Sequence, residues 1–367
     1  MPVGRDEVAP ACFVPVPLFP SPEKSLATTS FPTDETRREF LQESLTAAAT
    51  LGASPILLGQ EQRAGEGLPM RPLGRTGVRV SILCLGGWHI GDVRDKKEAI
   101  RIMHAALDEG INFFDNCWDY HDGGSEEIMG QALAADGGKW RKRCFLMTKV
   151  CARDAKGVRQ QVEQSLRRLR TDVIDLMQMH EINWDNDPEW VVEQGGLAEL
   201  LQLQKEGKVR FVGFTGHKSP HIHLKMLPVH RWDTVQMPIN LCDHFYRSFV
   251  HQVVPAAHKA GIGVIGMKTM GGGRSEGKIV AAGVATAEEC LRYALSQEVA
   301  SVVTGITSMD ILRQNLAIAR NFRPMTAEEL QRLLAKVKPQ AGDGRHERFK
   351  STIDFDGPYH RKQHGFE

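Results

Sequence analysis

From Met70 onward, short runs of β-branched and apolar residues alternate with longer stretches in which apolar positions recur every three or four residues. Runs of the first kind suit strands buried on both faces, and stretches of the second kind suit helices that bury one stripe. RVSILCLGG precedes the amphipathic stretch Lys97–Glu109, INFFDN precedes Ser125–Leu133, and CFLMTKV precedes Gly157–Leu169. In the last of these helices Val158, Val162, Leu166 and Leu169 share a face. VIDLMQMH then leads into Pro188–Glu206, VRFVGFTG into Pro220–Leu227 and TVQMPI into Val250–Ala260. GVIGMK leads into Thr286–Ser296 and ASVVTGI into Met309–Arg320, which makes eight strand–helix units. Eight units in about 250 residues predict an α/β fold of the closed (β/α)8 type, the TIM barrel, whereas a doubly wound sheet carries fewer strands.

The ends of the chain differ from this repeat. MRPLGRTGVRV, with its Gly-Arg-Thr-Gly turn, predicts a hairpin ahead of the first barrel strand. A further helix over Ala327–Lys338 and a polar tail are expected outside the barrel. The expected division is a disordered leader over 1–69, a barrel domain over 70–340 and a tail over 341–367.

Composition narrows the function. Of 367 residues 41% are hydrophobic, enough for a substantial core. Lys+Arg 46 against Asp+Glu 45 gives a net charge of +1 without a basic block, so nucleic acid is not an expected partner. After residue 70 no apolar stretch approaches the ~20 residues that cross a bilayer, so no stable span is expected in the body. The seven cysteines are scattered, with no C-x-x-C pair, which argues against a zinc site or a disulfide framework. His217, His221 and His223 lack a convincing carboxylate partner, and no metal is expected.

Functional residues of such a barrel belong at the C-terminal ends of its strands. Asp115 closes the second predicted strand, Tyr120 follows in its loop, Lys149 ends the third and His180 ends the fourth. Singly, each has a structural reading: a loop cap, half-buried packing, a solvated cation, a satisfied core histidine. Together, with GINFFDNCWDY, FLMTKV, IDLMQMH, GKVRFVGFTG, VQMPINL and TGITSMDILRQN in order, they make residues 70–322 resemble the aldo-keto reductase family. The resemblance implies a catalytic tetrad of Asp115, Tyr120, Lys149 and His180. In carbonyl reduction negative charge develops on oxygen, which needs a hydrogen-bond donor and then a proton. Tyr120 would supply both, Lys149 would stabilise the phenolate left behind, Asp115 would pair with Lys149, and His180 would orient the substrate oxygen. A small carbonyl or alcohol is the implied substrate, and a nicotinamide-binding sensor or accessory subunit on the same barrel is the alternative.

The chain has no G-x-G-x-x-G fingerprint between a strand and a helix, so a nicotinamide cofactor would lie across the barrel mouth as in the family. The resemblance assigns Gln236 to the nicotinamide amide, with Asn240 a weaker candidate near it. It assigns Gly305, Thr307, Ser308, Gln314 and Asn315 to the adenosine end. Thr215-Gly216 stands where the family has Ser-Asn. Met267 replaces a stacking aromatic residue, and Lys268 beside it could meet a phosphate. Ile311 falls where an arginine often holds the 2′-phosphate, with Arg313 close by. NADP(H) is the expected cofactor, ahead of NAD(H). Trp118 is expected to wall the substrate pocket, and Cys117 to pack.

The leader carries TRREFLQ, with Arg37-Arg38, followed by an apolar run from Leu45 to Gly59. This resembles a twin-arginine signal, an address read by machinery that exports folded proteins. An exported or periplasmic location is therefore expected, and a cytoplasmic one if the leader is not read.

Overall fold

The computed structural model describes residues 67–272 and 278–366. The twin-arginine segment, the apolar run and the centre of the Gly-rich loop at 273–277 lie outside them. Met70–Pro72 (β1) and Arg79–Ser81 (β2) form the expected antiparallel hairpin, with Met70 opposite Ser81. Eight parallel strands follow: Leu83–Gly86 (β3), Phe113–Asp115 (β4), Phe145–Val150 (β5), Ile174–Met179 (β6), Val209–Thr215 (β7), Thr234–Pro238 (β8), Gly263–Met267 (β9) and Ser301–Thr304 (β10). They pair in sequence order, and β10 pairs with β3 to close the barrel. The (β/α)8 barrel read from the hydrophobic pattern is thus the observed fold.

The strand runs are mostly apolar because their two faces are buried in two different cores. One face packs beneath the surrounding helices, against Ile102, Val162, Leu200, Val253 and Leu312 among others. The other fills the barrel with Cys84, Phe113, Phe145, Met147, Leu176 and Ile265. Leu73 and Val80 of the hairpin join this interior cluster, so the hairpin plugs the barrel at the end where the strands begin. The C-terminal mouth is left for chemistry.

Side-chain caps start several of the helices. Asp154 accepts from Gly157 N at 2.8 Å ahead of Ala155–Leu169, and Ser248 accepts from His251 N at 3.1 Å ahead of Phe249–Lys259. The helix read over Pro188–Glu206 is instead two, Asp187–Glu193 and Gly196–Lys205. Gly195 between them has φ 82°, and a Cβ on Gly196 would lie 2.1 Å from the Arg153 carbonyl oxygen. Backbone passes too close there for any side chain, and the left-handed turn breaks the helix.

The polar tail, expected only to lie outside the barrel, is structured. It folds into Arg348–Ser351 and Pro358–Gln363 and is fastened to the C-terminal side of the barrel. Lys350 is 0% exposed and pairs with Asp243 beyond β8, while Lys218 beyond β7 pairs with Asp356 at 2.7 Å. Lys350 and Asp356 of this polar segment are thus paired with residues beyond barrel strands, which composition alone does not foretell. Among the described residues no helix is long and apolar enough to cross a membrane.

Candidate active site

The register of β3 to β6 brings the four expected residues together. Asp115, the last residue of β4, stands opposite Gly86 and Met147, and Lys149 stands opposite Gln178. His180 follows β6 directly, its backbone N–H donating to Val150 O at 2.8 Å. Lys149 Nζ lies 2.5 Å from Asp115 Oδ1, 2.6 Å from Asn116 O and 3.2 Å from the Tyr120 hydroxyl. The Tyr120 and His180 rings meet edge to face at 5.9 Å.

Burial dominates the electrostatics of this group. It pushes the Tyr120 hydroxyl well above its usual range, with Asp115 adding to the shift, so the proton stays on oxygen. Burial works against the Lys149 ammonium, yet Asp115 and its neighbours outweigh it and the pKa rises. Burial, then Lys149, drives His180 well below its ordinary value, which leaves a neutral imidazole. The arrangement is a protonated phenol touching a buried cation, with an uncharged ring beside it.

The residues assigned to the cofactor divide into groups. Gln236 is buried, its Nε2 facing Met267 Sδ at 3.7 Å, and its Oε1 has no hydrogen-bond partner among the described residues. An orphaned carbonyl oxygen at this depth is costly unless a donor such as an amide arrives, so the site fits a nicotinamide. Half-buried Lys268 lies over the rings of Phe349 and Phe355 at 5.3 and 4.7 Å. Burial lowers its pKa to about 8, with Glu181 opposing the shift. Buried Thr215 precedes Gly216, where a Cβ would lie 2.3 Å from Ile182 O and 2.7 Å from the His223 ring. Any side chain at that position would force this backbone or ring to shift. Ser308 accepts from Ile311 N at 3.3 Å as a helix cap, and Asn315 donates to Thr304 at 3.0 Å, so both side chains have structural duties. Gly305 is half-buried, whereas Thr307 and Gln314 are exposed at the edge of the mouth. Asn240 is tied to the tail, donating to Glu347 Oε1 at 2.9 Å.

Trp118, expected to wall the pocket, is held by the helix that follows β5. Its indole N–H donates to Gln164 at 2.6 Å on the helix Ala155–Leu169, and Arg168 lies 5.7 Å over its ring. The ring beside Tyr120 is Trp88, edge-on at 5.4 Å and 41% exposed. Trp88 sits in a short helix, Gly87–Gly91, that the strand–helix pattern left unread.

Other neighbours also escaped linear reading. Glu181 is buried with φ 51°, and its Oε2 lies 3.4 Å from His364 Nε2 of the tail. Burial first, and then the charge on Asp119, push its carboxyl well above the usual range. Beside Glu181, Arg153 and Asp187 make a fully buried pair at 2.7 Å, and Arg153 also donates to Cys151 O and Glu181 O, locking both loops. Cys117, scattered from Cys151 in sequence, meets His180 together with it. The three histidines weighed as a cluster have separate surroundings: His217 faces Asn183 at 3.2 Å, His221 pairs with exposed Asp185, and His223 packs between Phe214 and Phe249.

A closed barrel with a tyrosine, lysine and aspartate in contact at its mouth is the layout of a barrel oxidoreductase. The model of the aldo/keto reductase family matches residues 82–281, and the chain belongs to that family. The chain is 34% identical over 242 residues to the uncharacterized oxidoreductase YrpG of Bacillus subtilis, covering 58% of this chain and 70% of that protein. It is 26% identical over 310 residues to L-galactose dehydrogenase of Arabidopsis thaliana, covering 74% and 96%. Among solved structures it is similar to the aldo-keto reductase AKR11C1 from Bacillus halodurans in its holo form, with TM-score 0.62 and 25% identity over 73% of this chain and 96% of that one.

Proposed function

We propose that this chain reduces the carbonyl of a small aldehyde or ketone, or oxidises the matching alcohol, with a nicotinamide cofactor and with Tyr120 as general acid. The observation that carries the reading is Lys149 Nζ in contact with both Asp115 Oδ1, at 2.5 Å, and the Tyr120 hydroxyl, at 3.2 Å. Gln236, Met267 and Lys268 would hold the nicotinamide side and Thr215 would lie beneath it. Gly305, Thr307, Ser308, Gln314 and Asn315 would border the adenosine side. Bound there, the cofactor supplies or accepts a hydride.

The chain's own residues manage the proton. Tyr120 donates to the substrate oxygen as negative charge grows on it, and Lys149 stabilises the phenolate that remains. Asp115 keeps Lys149 charged and fixed. Neutral His180 orients the same oxygen by a hydrogen bond. NADP(H) is favoured over NAD(H) by the usual habit of the family. Purified full-length chain should consume either cofactor in the presence of a carbonyl panel, read by nicotinamide absorbance. Tyr120→Phe should lower turnover by ~10²–10⁴, the usual worth of general acid catalysis. Equal turnover in that variant would sink the acid assignment.

The tail over Lys268 favours one second reading, a sensor or accessory subunit that binds the cofactor with little turnover. Tight cofactor binding with no turnover on any carbonyl would select it. We also propose export through the twin-arginine machinery, supported by Arg37-Arg38 and the apolar run that follows. Cell fractionation of Arg37→Lys/Arg38→Lys should move the protein to the cytoplasm. An unchanged cytoplasmic location in both forms overturns export.

A further inference from the structure

The loops after β4, β5 and β6 carry four metal-ligating side chains to one point. Cys117 and Asp119 come from the first loop, Cys151 directly follows β5 and His180 directly follows β6. One donor atom of each lies within 4.8 Å of the others. His180 Nδ1 is 3.1 Å from Cys117 Sγ, 3.5 Å from Cys151 Sγ and 3.6 Å from Asp119 Oδ1. A tetrahedral zinc ion with Zn–S near ~2.3 Å and Zn–N or Zn–O near ~2.0–2.1 Å has edges of about 3.3–3.8 Å between its ligands. The observed separations from Nδ1 are already within a few tenths of an ångström of such a shell.

Donor chemistry and polarity agree with the geometry. Two thiols with one imidazole and one carboxylate suit zinc, whereas calcium and magnesium call for oxygen ligands. Asp119 Oδ1 is buried with no hydrogen-bond partner among the described residues. A cation in the cluster is the partner that oxygen lacks.

We propose that Cys117, Asp119, Cys151 and His180 bind one zinc ion. Four protein ligands close its coordination, so the ion ties three loops together and does not meet substrate. Each thiol releases one proton to solvent on binding, and no oxidation state changes. Coordination through Nδ1 places the remaining ring proton of His180 on Nε2, which fixes its tautomer as a donor. That consequence for catalysis rests on the reductase reading; the metal site itself does not.

The test is metal content and spectrum, not turnover. Full-length chain purified with a thiol reductant, loaded with zinc and dialysed should retain about one zinc per chain, as a closed four-ligand site does. Cys117→Ser/Cys151→Ser should lose about tenfold or more of that content, and Cys84→Ser, whose sulfur lies inside the barrel, should keep it. Cobalt-loaded wild-type chain should show thiolate-to-cobalt charge-transfer bands with the intense visible bands of tetrahedral coordination, a result that needs no variant to fold. Wild-type chain without bound zinc and without those bands overturns the proposal. So does equal zinc in the double variant, or a Cys117–Cys151 disulfide with no metal in chain isolated without reductant. A zinc-loaded chain with no reductase activity sinks the functional reading alone, and an active chain that binds no zinc sinks the metal site alone.

Discussion

Among the described residues, Lys149 and Lys350 are both buried on the C-terminal side of the barrel, at 1% and 0% exposure, and they serve different ends. Each ammonium has three N–H donors to place. Lys350 meets Asp243 Oδ1 at 2.6 Å, Tyr246 O at 2.9 Å and Glu347 Oε1 at 2.8 Å. Lys149 meets Asp115 Oδ1 at 2.5 Å, Asn116 O at 2.6 Å and the Tyr120 hydroxyl at 3.2 Å. The partners of Lys350 are two acid side chains and a carbonyl, and they join the tail to the segment beyond β8, so the cluster is a staple between the barrel and its tail. Around Lys149 the third partner is a hydroxyl with a removable proton. Burial and pairing alone therefore do not mark a reactive cation; the identity of the third partner does.

Replacing each lysine tests that distinction. Lys149→Met should lower turnover by ~10²–10⁴, because Tyr120 loses the cation that stabilises its phenolate. It also leaves Asp115 buried and unpaired, at a cost of about 3–5 kcal/mol in stability. Lys350→Met should cost a similar ~3–5 kcal/mol, since Asp243 and Glu347 lose their cation together. Its signature is faster proteolysis of residues 342–366 in the folded protein, with the folded fraction keeping its turnover number. A Lys350→Met protein as inactive as Lys149→Met, when fully folded, would erase the difference between the two sites.

Lys149 was legible in the sequence and Lys350 was not. Strand ends are marked by apolar runs, and barrel geometry sends the residues at those ends to one mouth, so Asp115, Lys149 and His180 could be placed before any coordinates. Lys350 lies in a polar segment where solvation is the ordinary expectation, and only folding reveals Asp243 opposite it. The same limit hid the approach of Cys117 to Cys151, since spacing rules detect neighbours in sequence and the barrel makes neighbours across strands. It also hid an aromatic neighbour of Tyr120. Trp118 lies two residues before Tyr120, and its indole N–H donates to Gln164, while Trp88 reaches the tyrosine from the short helix after β3. The break at Gly195 was visible as Gly-Gly, yet the amphipathic pattern on both sides read as one helix.

The staple should also carry its own pH signature. Burial pushes Glu347 up to about 7, with Lys350 pulling it back, Asp243 raising it further and Asn240 lowering it. The folded state then holds this proton more tightly than the unfolded chain, whose glutamate titrates near ~4.3. The contribution is whole below that value and is lost as pH rises to about 7, with a slope of at most ~1.4 kcal/mol per pH unit. Above about 7 both states are ionised and the slope vanishes. Urea midpoints across this window should fall with pH in the wild type, and Glu347→Gln should flatten the fall. A Glu347→Gln protein with an unchanged slope would show that the proton resides elsewhere.

The smallest expected effect separates the staple from the helix that leads to it. Thr326 caps Ala327–Ala341, its hydroxyl accepting from Glu329 N at 3.2 Å while Glu329 Oε2 accepts from Thr326 N at 2.9 Å. The site is exposed, so water can replace the lost hydroxyl, and Thr326→Ala should cost about 1 kcal/mol. Glu329 stays anchored by Arg292 at 2.8 Å, which limits how far the helix start can fray. Thermal unfolding should register this loss with turnover unchanged. If Lys350 is what holds the tail, proteolysis of residues 342–366 should be no faster in Thr326→Ala than in the wild type. Cleavage as fast as in Lys350→Met would transfer the holding role from the buried ammonium to the preceding helix.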